Sequence, residues 1–424
     1  MICLEKLLYE NKNVSDWRII TATTLSTELF FVHKELETVR ATDTKTVSVT
    51  VYADHDGKKG DSAFSVFESD TEELIKDKIE KAAQRALLVF NENYSLPENE
   101  VLDSELSSDF TEYSQMELAE KIADATFAAD CYEGGSLNAT EVFVYKKILS
   151  VKNSRGIDKR EVKYSAMIEA IPTWNSDNES VELYERHDFA SLDTASITKE
   201  IDRKMQEVRD RCRAVKPTEE LSCPVVISGH ELSGLFRELI FSLNFSSVYS
   251  HTSVFAKGDK IQKEPAYDKI NVTVCGALPG SHASALFDED GVTLSERVIV
   301  EDGVAVAYFG GMRFAQYLGE EPTGNTRCIK VKTGTLTEAE LEGATYLECV
   351  SMSGIQLDLY SDYIGGEIRL AYLVEGGKKT PVTGISMSGS LSKVLEGLRL
   401  SDKEVTDGAY NGPEKALLSG MTIM

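Results

Sequence analysis

Two residues at one strand-to-helix transition carry the most pointed chemistry in this 424-residue chain: His230 and Glu231. They follow the β-rich run Val225-Val226-Ile227 and the turn signal Ser228-Gly229. After them, apolar residues recur at Leu232, Leu235, Phe236, Leu239, Ile240 and Leu243, the spacing of an amphipathic helix. An adjacent His and Glu opening a helix form the first half of a zinc-peptidase signature. In that signature a His ligates the metal, the Glu acts as general base on metal-bound water, and a second His one turn on completes the pair. Here Gly234 stands four residues on and Leu235 five, and Leu235 belongs to the apolar stripe. His230 and Gly234 should point away from the core that the helix buries. The competing reading is a polar pair at a helix start, with Glu231 favoured by the helix dipole.

A catalytic zinc takes three protein ligands and a water, and nothing local supplies the other two. His251 and Cys275 are candidates to converge on His230 from a distance; a loop histidine and a buried strand thiol are the plainer readings. Asp288-Glu289-Asp290-Gly291 looks like the start of a calcium loop but lacks its spaced ligands and closing Glu, so a solvated turn is expected. Gly57-Lys58-Lys59-Gly60 lacks P-loop spacing and reads as a hairpin connection, and no Gly-x-Ser-x-Gly elbow occurs.

The elements that must position these residues divide the chain in two. Residues 1–215 read as an antiparallel sheet with helices. Thr46–Val51 alternates at period two, and Ala63–Phe67 resumes after an Asp56-Gly57 turn. A helix follows, capped at Ser69 or Asp70, with a stripe from Ile75 to Phe90; others are predicted over Ser114–Asp130 and Ala195–Ala214. A polar, proline-bearing connection between Val215 and Cys223 marks the boundary. Residues 216–424 read as a mostly β domain carrying the His-Glu helix at its start, a curved sheet or open barrel. Its strands include Val304–Phe309 and Glu367–Val374, with turns at Asp302-Gly303, Gly365-Gly366 and Gly376-Gly377. The predicted class is α+β with two domains.

Composition narrows the function. With 45 Lys and Arg against 70 Asp and Glu, the formal charge is −25, which repels phosphate backbones and disfavours direct nucleic-acid binding. No apolar run reaches membrane-spanning length. Met1-Ile2-Cys3-Leu4-Glu5-Lys6 does not read as a secretory leader, and seven scattered cysteines without a Cys-x-x-Cys pair point to free thiols in a reducing, cytoplasmic setting.

The blocks Thr252–Phe255, Asp288–Gly291, Val300–Gly303, Gly319–Asn325, Ala371–Gly377 and Pro381–Gly384, in that order and spacing, resemble the TldD/PmbA proteins, also called modulators of DNA gyrase. The resemblance covers nearly the whole chain. It implies a family whose catalytic members are zinc metallopeptidases acting on short or unstructured peptides. Those members carry His-Glu-x-x-x-His on the central helix and a distant Cys near the C-terminus. They pair with a motif-less subunit of the same fold, TldE or PmbA.

Carried over, His230 matches the first zinc ligand and Glu231 the general base. Leu235 stands where the second His belongs, and Gly408-Ala409-Tyr410-Asn411-Gly412 stands where the Cys turn belongs. The resemblance therefore implies a non-catalytic subunit with a relic His-Glu. It would bind no zinc and would partner a TldD-like homologue, or itself, around a peptide substrate. The alternatives are an active metallopeptidase with zinc held by non-standard ligands around His230, and a protein-binding regulator of a DNA-processing enzyme.

Overall fold

The computed structural model describes residues 3–176 and 179–424; Met1 and Ile2 of the opening segment read above lie outside them. The first half is built on three long antiparallel strands, β1 (Asp16–Val32), β2 (Glu35–His55) and β3 (Lys58–Val66). The strands continue far past the segments that alternate cleanly, because β1 and β2 pair along their whole length, from Asp16↔Tyr52 to Val32↔Glu35. Helix α1 (Glu72–Ala86) lays Ile75, Ile79 and Ala82 on Trp17, Ile19, Val49 and Val51.

The cap of α1 is Thr71, whose side chain accepts Leu74 N–H; the carboxylate of Asp70 takes Phe67 N–H instead. The helix also stops at Ala86, so Leu87 and Phe90 are exposed rather than part of its stripe. Gly60 explains the close fit of the helix end to the sheet: a Cβ there would lie 1.7 Å from the Ala86 carbonyl oxygen.

Helix α2 (Gln115–Phe127) begins where the sequence predicts, after Ser114, and the structure shows a Ser114/Glu117 capping box there. Two further long strands follow, β4 (Gly135–Asn153) and β5 (Asp158–Asn175), and then helix α3 (Thr194–Arg213), capped by Asp193. The sheet runs β3-β2-β1-β4-β5 and closes with Val101–Glu105 parallel to β5. α2 and α3 cover one of its faces over Leu29, Val142, Val144, Ala166 and Ile168. The opposite face turns toward the second half of the chain.

That second half is two mixed sheets, nine- and six-stranded, not one curved sheet or open barrel. The physical reason is the helix between them. Strand β6 (Val225–Ser228) leads into α4 (Gly229–Phe241), and Leu232, Leu235, Phe236, Leu239 and Ile240, with Leu243 just beyond, form one core with inner residues of both sheets. Strands β7 (Val272–Cys275) and β8 (Cys328–Val331) belong to the smaller sheet, and β9 (Tyr363–Glu375) to the larger.

Gly365-Gly366 is no turn but lies within β9, where a Cβ would meet the Tyr363 hydroxyl and the Met352 methyl at 2.2 and 2.6 Å. The predicted strand Val304–Phe309 shortens to Val304–Ala305. The architecture is α+β.

Polar and apolar contacts join the halves. Arg18 pairs with Asp290, Lys159 Nζ donates to Thr293 Oγ1 at 2.7 Å, and Val151 and Ile157 meet Phe287. The turn at Asp288 is thus not solvated. Its buried carboxylate accepts the N–H groups of Asp290, Val292 and Asn325 at 3.0, 3.0 and 2.9 Å.

Candidate functional site

The start of α4 is shaped by backbone rather than by a side-chain cap. Ser228 is extended and makes no capping hydrogen bond, and Gly229 has φ +53°, a conformation that costs glycine little. The next residue, His230, is exposed. Glu231 is partly buried, and its Oε2 accepts the backbone N–H of Ile355 at 2.8 Å. Gly234 faces Ile355, whose Cγ2 would lie 3.5 Å from a Cβ. Leu235 is 0% exposed, inside the core between the sheets.

The C-terminal turn comes to the same place. Beyond it runs strand β10 (Tyr410–Pro413), paired in parallel with β8; Tyr410 is buried and donates its hydroxyl to the Pro413 carbonyl at 3.0 Å. Asp407 borders Gly229, its Oδ2 3.9 Å from where a Cβ would stand. Gly408 borders the His282 ring in the same way, at 3.5 Å. The start of the helix and the C-terminal turn are therefore neighbours, as a composite site needs.

The candidate distant ligands do not complete a metal site with them, although Cys275 packs with Cys328 against Ala409 of the C-terminal turn. His251 sits at φ +57° in an exposed turn. Cys275 is 2% exposed on β7, in register with Cys328 of β8, and burial pushes its thiol up to about 11, away from the thiolate a metal takes. Among the described residues no group of three or more His, Cys, Asp or Glu side chains is placed to hold a metal ion. A three-ligand zinc with an open water position does not fit the residues around His230.

Other groups here escaped the sequence reading. Arg237, two turns along α4 from His230, donates Nε to Ser233 Oγ at 3.2 Å and Nη2 to the Arg327 carbonyl at 3.3 Å. Lys147 of β4 and Lys163 of β5 are partly buried on the face of the first sheet turned toward this region, and Lys163 Nζ donates to the Ser284 carbonyl at 3.1 Å. His282 is held below its ordinary pKa by burial. No motif announces these residues; the one trace is lysine inside otherwise strand-like runs.

Residues 220–424 match the model of the PmbA/TldA metallopeptidase C-terminal domain. A metalloprotease of Synechocystis is 25% identical over 207 residues, 43% of this chain and 44% of that one. A zinc metalloprotease TldD homolog of Saccharolobus solfataricus is 26% identical over 200 residues, 42% and 44%. The matches thus span less than half the length of these curated relatives. Among solved structures, TldE from Thermococcus kodakarensis superimposes with a TM-score of 0.81 at 18% identity, over 99% of both chains. A Thermotoga maritima protein named for modulation of a DNA gyrase does so with 0.76 at 16%, again over 99% of both. At these identities the likeness is one of fold.

Proposed function

Because this chain belongs to the TldD/PmbA family, we propose that it is a non-catalytic, TldE/PmbA-like subunit of a peptidase whose zinc sits in a TldD-like partner. One observation carries the reading. The position where a second zinc ligand would stand, Leu235, is a fully buried core residue of the α4 stripe. A histidine there would face the inter-sheet core, not the side that exposes His230.

Glu231 supports the same reading. A general base needs a free carboxylate beside activated water, and this one holds a backbone amide. His230 and Glu231 are then relics, the helix serves as scaffold, and the chain itself takes up no zinc. Division of labour falls at residue 216 in this reading: residues 1–215 present the long sheet, and residues 216–424 carry the altered site. The subunit works in the cytoplasm, encloses short or unstructured peptides with its partner, and makes no direct contact with nucleic acid, in keeping with its charge of −25.

The test is elemental analysis of the untagged chain, with size-exclusion chromatography after mixing with a TldD-type subunit. Near-zero zinc and co-elution are the expected results. One zinc per chain, lost in His230→Ala, would overturn the reading.

A further inference from the structure

Lys147 and Lys163 are register partners on β4 and β5. Directly opposed residues of an antiparallel pair lie on one face with Cβ atoms about 5 Å apart, and like charges there repel. Two other lysines of the same strands are paired, Lys152 with Asp158 at 2.9 Å and Lys159 with Glu100 at 2.7 Å. Among the described residues Lys147 and Lys163 form no such pair. Lys147 Nζ lies over the Tyr145 ring at 4.5 Å, and Lys163 Nζ has the Ser284 carbonyl.

More positive charge converges from the second half of the chain. Burial is the largest cause lowering the pKa of both lysines; Asp188 opposes it at Lys147 and Glu161 at Lys163, and the guanidinium of Arg327 adds to it at both. Among the described residues the one ion pair of Arg327 is a 3.9 Å contact with exposed Glu289. The imidazole of His282 lies 3.5 Å from where a Gly408 Cβ would stand, and among the described residues its Nδ1 is buried without a hydrogen-bond partner. The nearby carboxylates are committed elsewhere. Asp188 takes two hydrogen bonds from Arg186 at 2.7 and 3.1 Å, and Glu161 takes the Leu286 N–H. In a chain with a formal charge of −25, two opposed lysines at one junction thus stand without an ion pair, with Asp188 and Glu161 attracting them from beyond ion-pair distance.

We propose that Lys147, Lys163 and Arg327 form a receptor for the terminal carboxylate of a bound peptide, at the junction between the open face of the first sheet and the loops around Ser284 and Arg327. A carboxylate supplies the ion-pair partner that neither lysine has, and two ammonium groups with a guanidinium match its oxygens through charge-assisted hydrogen bonds. The site lies beside the 407–408 turn that borders the start of α4, so it would anchor a peptide end next to the altered centre. Inorganic phosphate shares the chemistry. The inference rests on the peptide-handling reading above, but its test needs neither zinc nor a partner.

The full chain is titrated with an acetylated five-residue Ala/Gly peptide as free acid, with the same peptide as amide, and with inorganic phosphate at matched ionic strength. Binding is read by calorimetry and by the unfolding midpoint. The acid should bind at least about tenfold more tightly than the amide, and Lys147→Met/Lys163→Met should erase that preference. Lys152→Met should keep it. Lys147→Met alone, relieved of an opposed charge, should fold and unfold at a higher midpoint without ligand, which guards against a merely unfolded double variant. Equal binding of acid and amide, an acid preference that survives the double substitution, a response to phosphate alone, or no response to any probe would each overturn the proposal.

Discussion

The Oε2 of Glu231 accepts the backbone N–H of Ile355 at 2.8 Å. It thereby ties the first turn of α4 to the segment just before strand Gln356–Asp358. A residue type suited to proton transfer is here a structural acceptor. Truncating it leaves a partly buried amide without its partner, so Glu231→Ala should lower the unfolding free energy by about 1–3 kcal/mol. Urea denaturation measures this; an unchanged midpoint would show that the hydrogen bond carries no stability.

Leu235→His restores the family spacing on paper. Because Leu235 is fully buried between the two sheets, the imidazole would lose the packing of leucine and bury polar nitrogens. The cost should be roughly 3 kcal/mol or more, with no zinc gained. A variant of native stability holding one zinc per chain would contradict the placement of this position.

Asp16 sets an acid limit on stability. It is 2% exposed and pairs with Lys59 at 3.0 Å and with Arg155 at 2.6 Å. Burial alone would raise its pKa, but hydrogen bonds from Arg155, Ser154 and Lys59 outweigh that and hold it below 3.8. A carboxyl depressed by folding stabilises above its unfolded pKa, and the contribution is lost as pH falls through the folded value. Below about pH 4 the wild type should therefore lose stability more steeply than Asp16→Asn. At neutral pH, Asp16→Ala should cost roughly 3–5 kcal/mol. Thermal unfolding from pH 3 to 7 tests both statements, and parallel profiles would refute the first.

Much of this was legible where local rules decide the outcome. The α4 stripe, the helix start at Ser114 and the hairpin at Gly376-Gly377 follow from residue types a few positions apart. Long-range pairing was not legible. The 17- and 21-residue strands β1 and β2 support each other across segments with no alternation of their own. Gly365-Gly366 reads as a turn until the neighbouring Met352 and Tyr363 side chains show that the space is needed inside a sheet.

The same distinction holds at the site. The mismatch of Leu235 with a metal motif was visible in the sequence, because an apolar stripe and a ligand position make opposite demands on one residue. The engagement of Glu231 with Ile355, and that of Lys163 with the Ser284 carbonyl, depend on chain segments more than a hundred residues apart, which no spacing rule connects.

The most direct test of the central claim is peptide cleavage with three preparations: this chain alone, a TldD-type homologue alone, and the two mixed, each with zinc supplied. The account predicts no hydrolysis by this chain alone and faster hydrolysis by the mixture than by the homologue alone. It also predicts that the mixture keeps its activity when this chain carries His230→Ala. Zinc-dependent hydrolysis by this chain alone, abolished by His230→Ala, would contradict it.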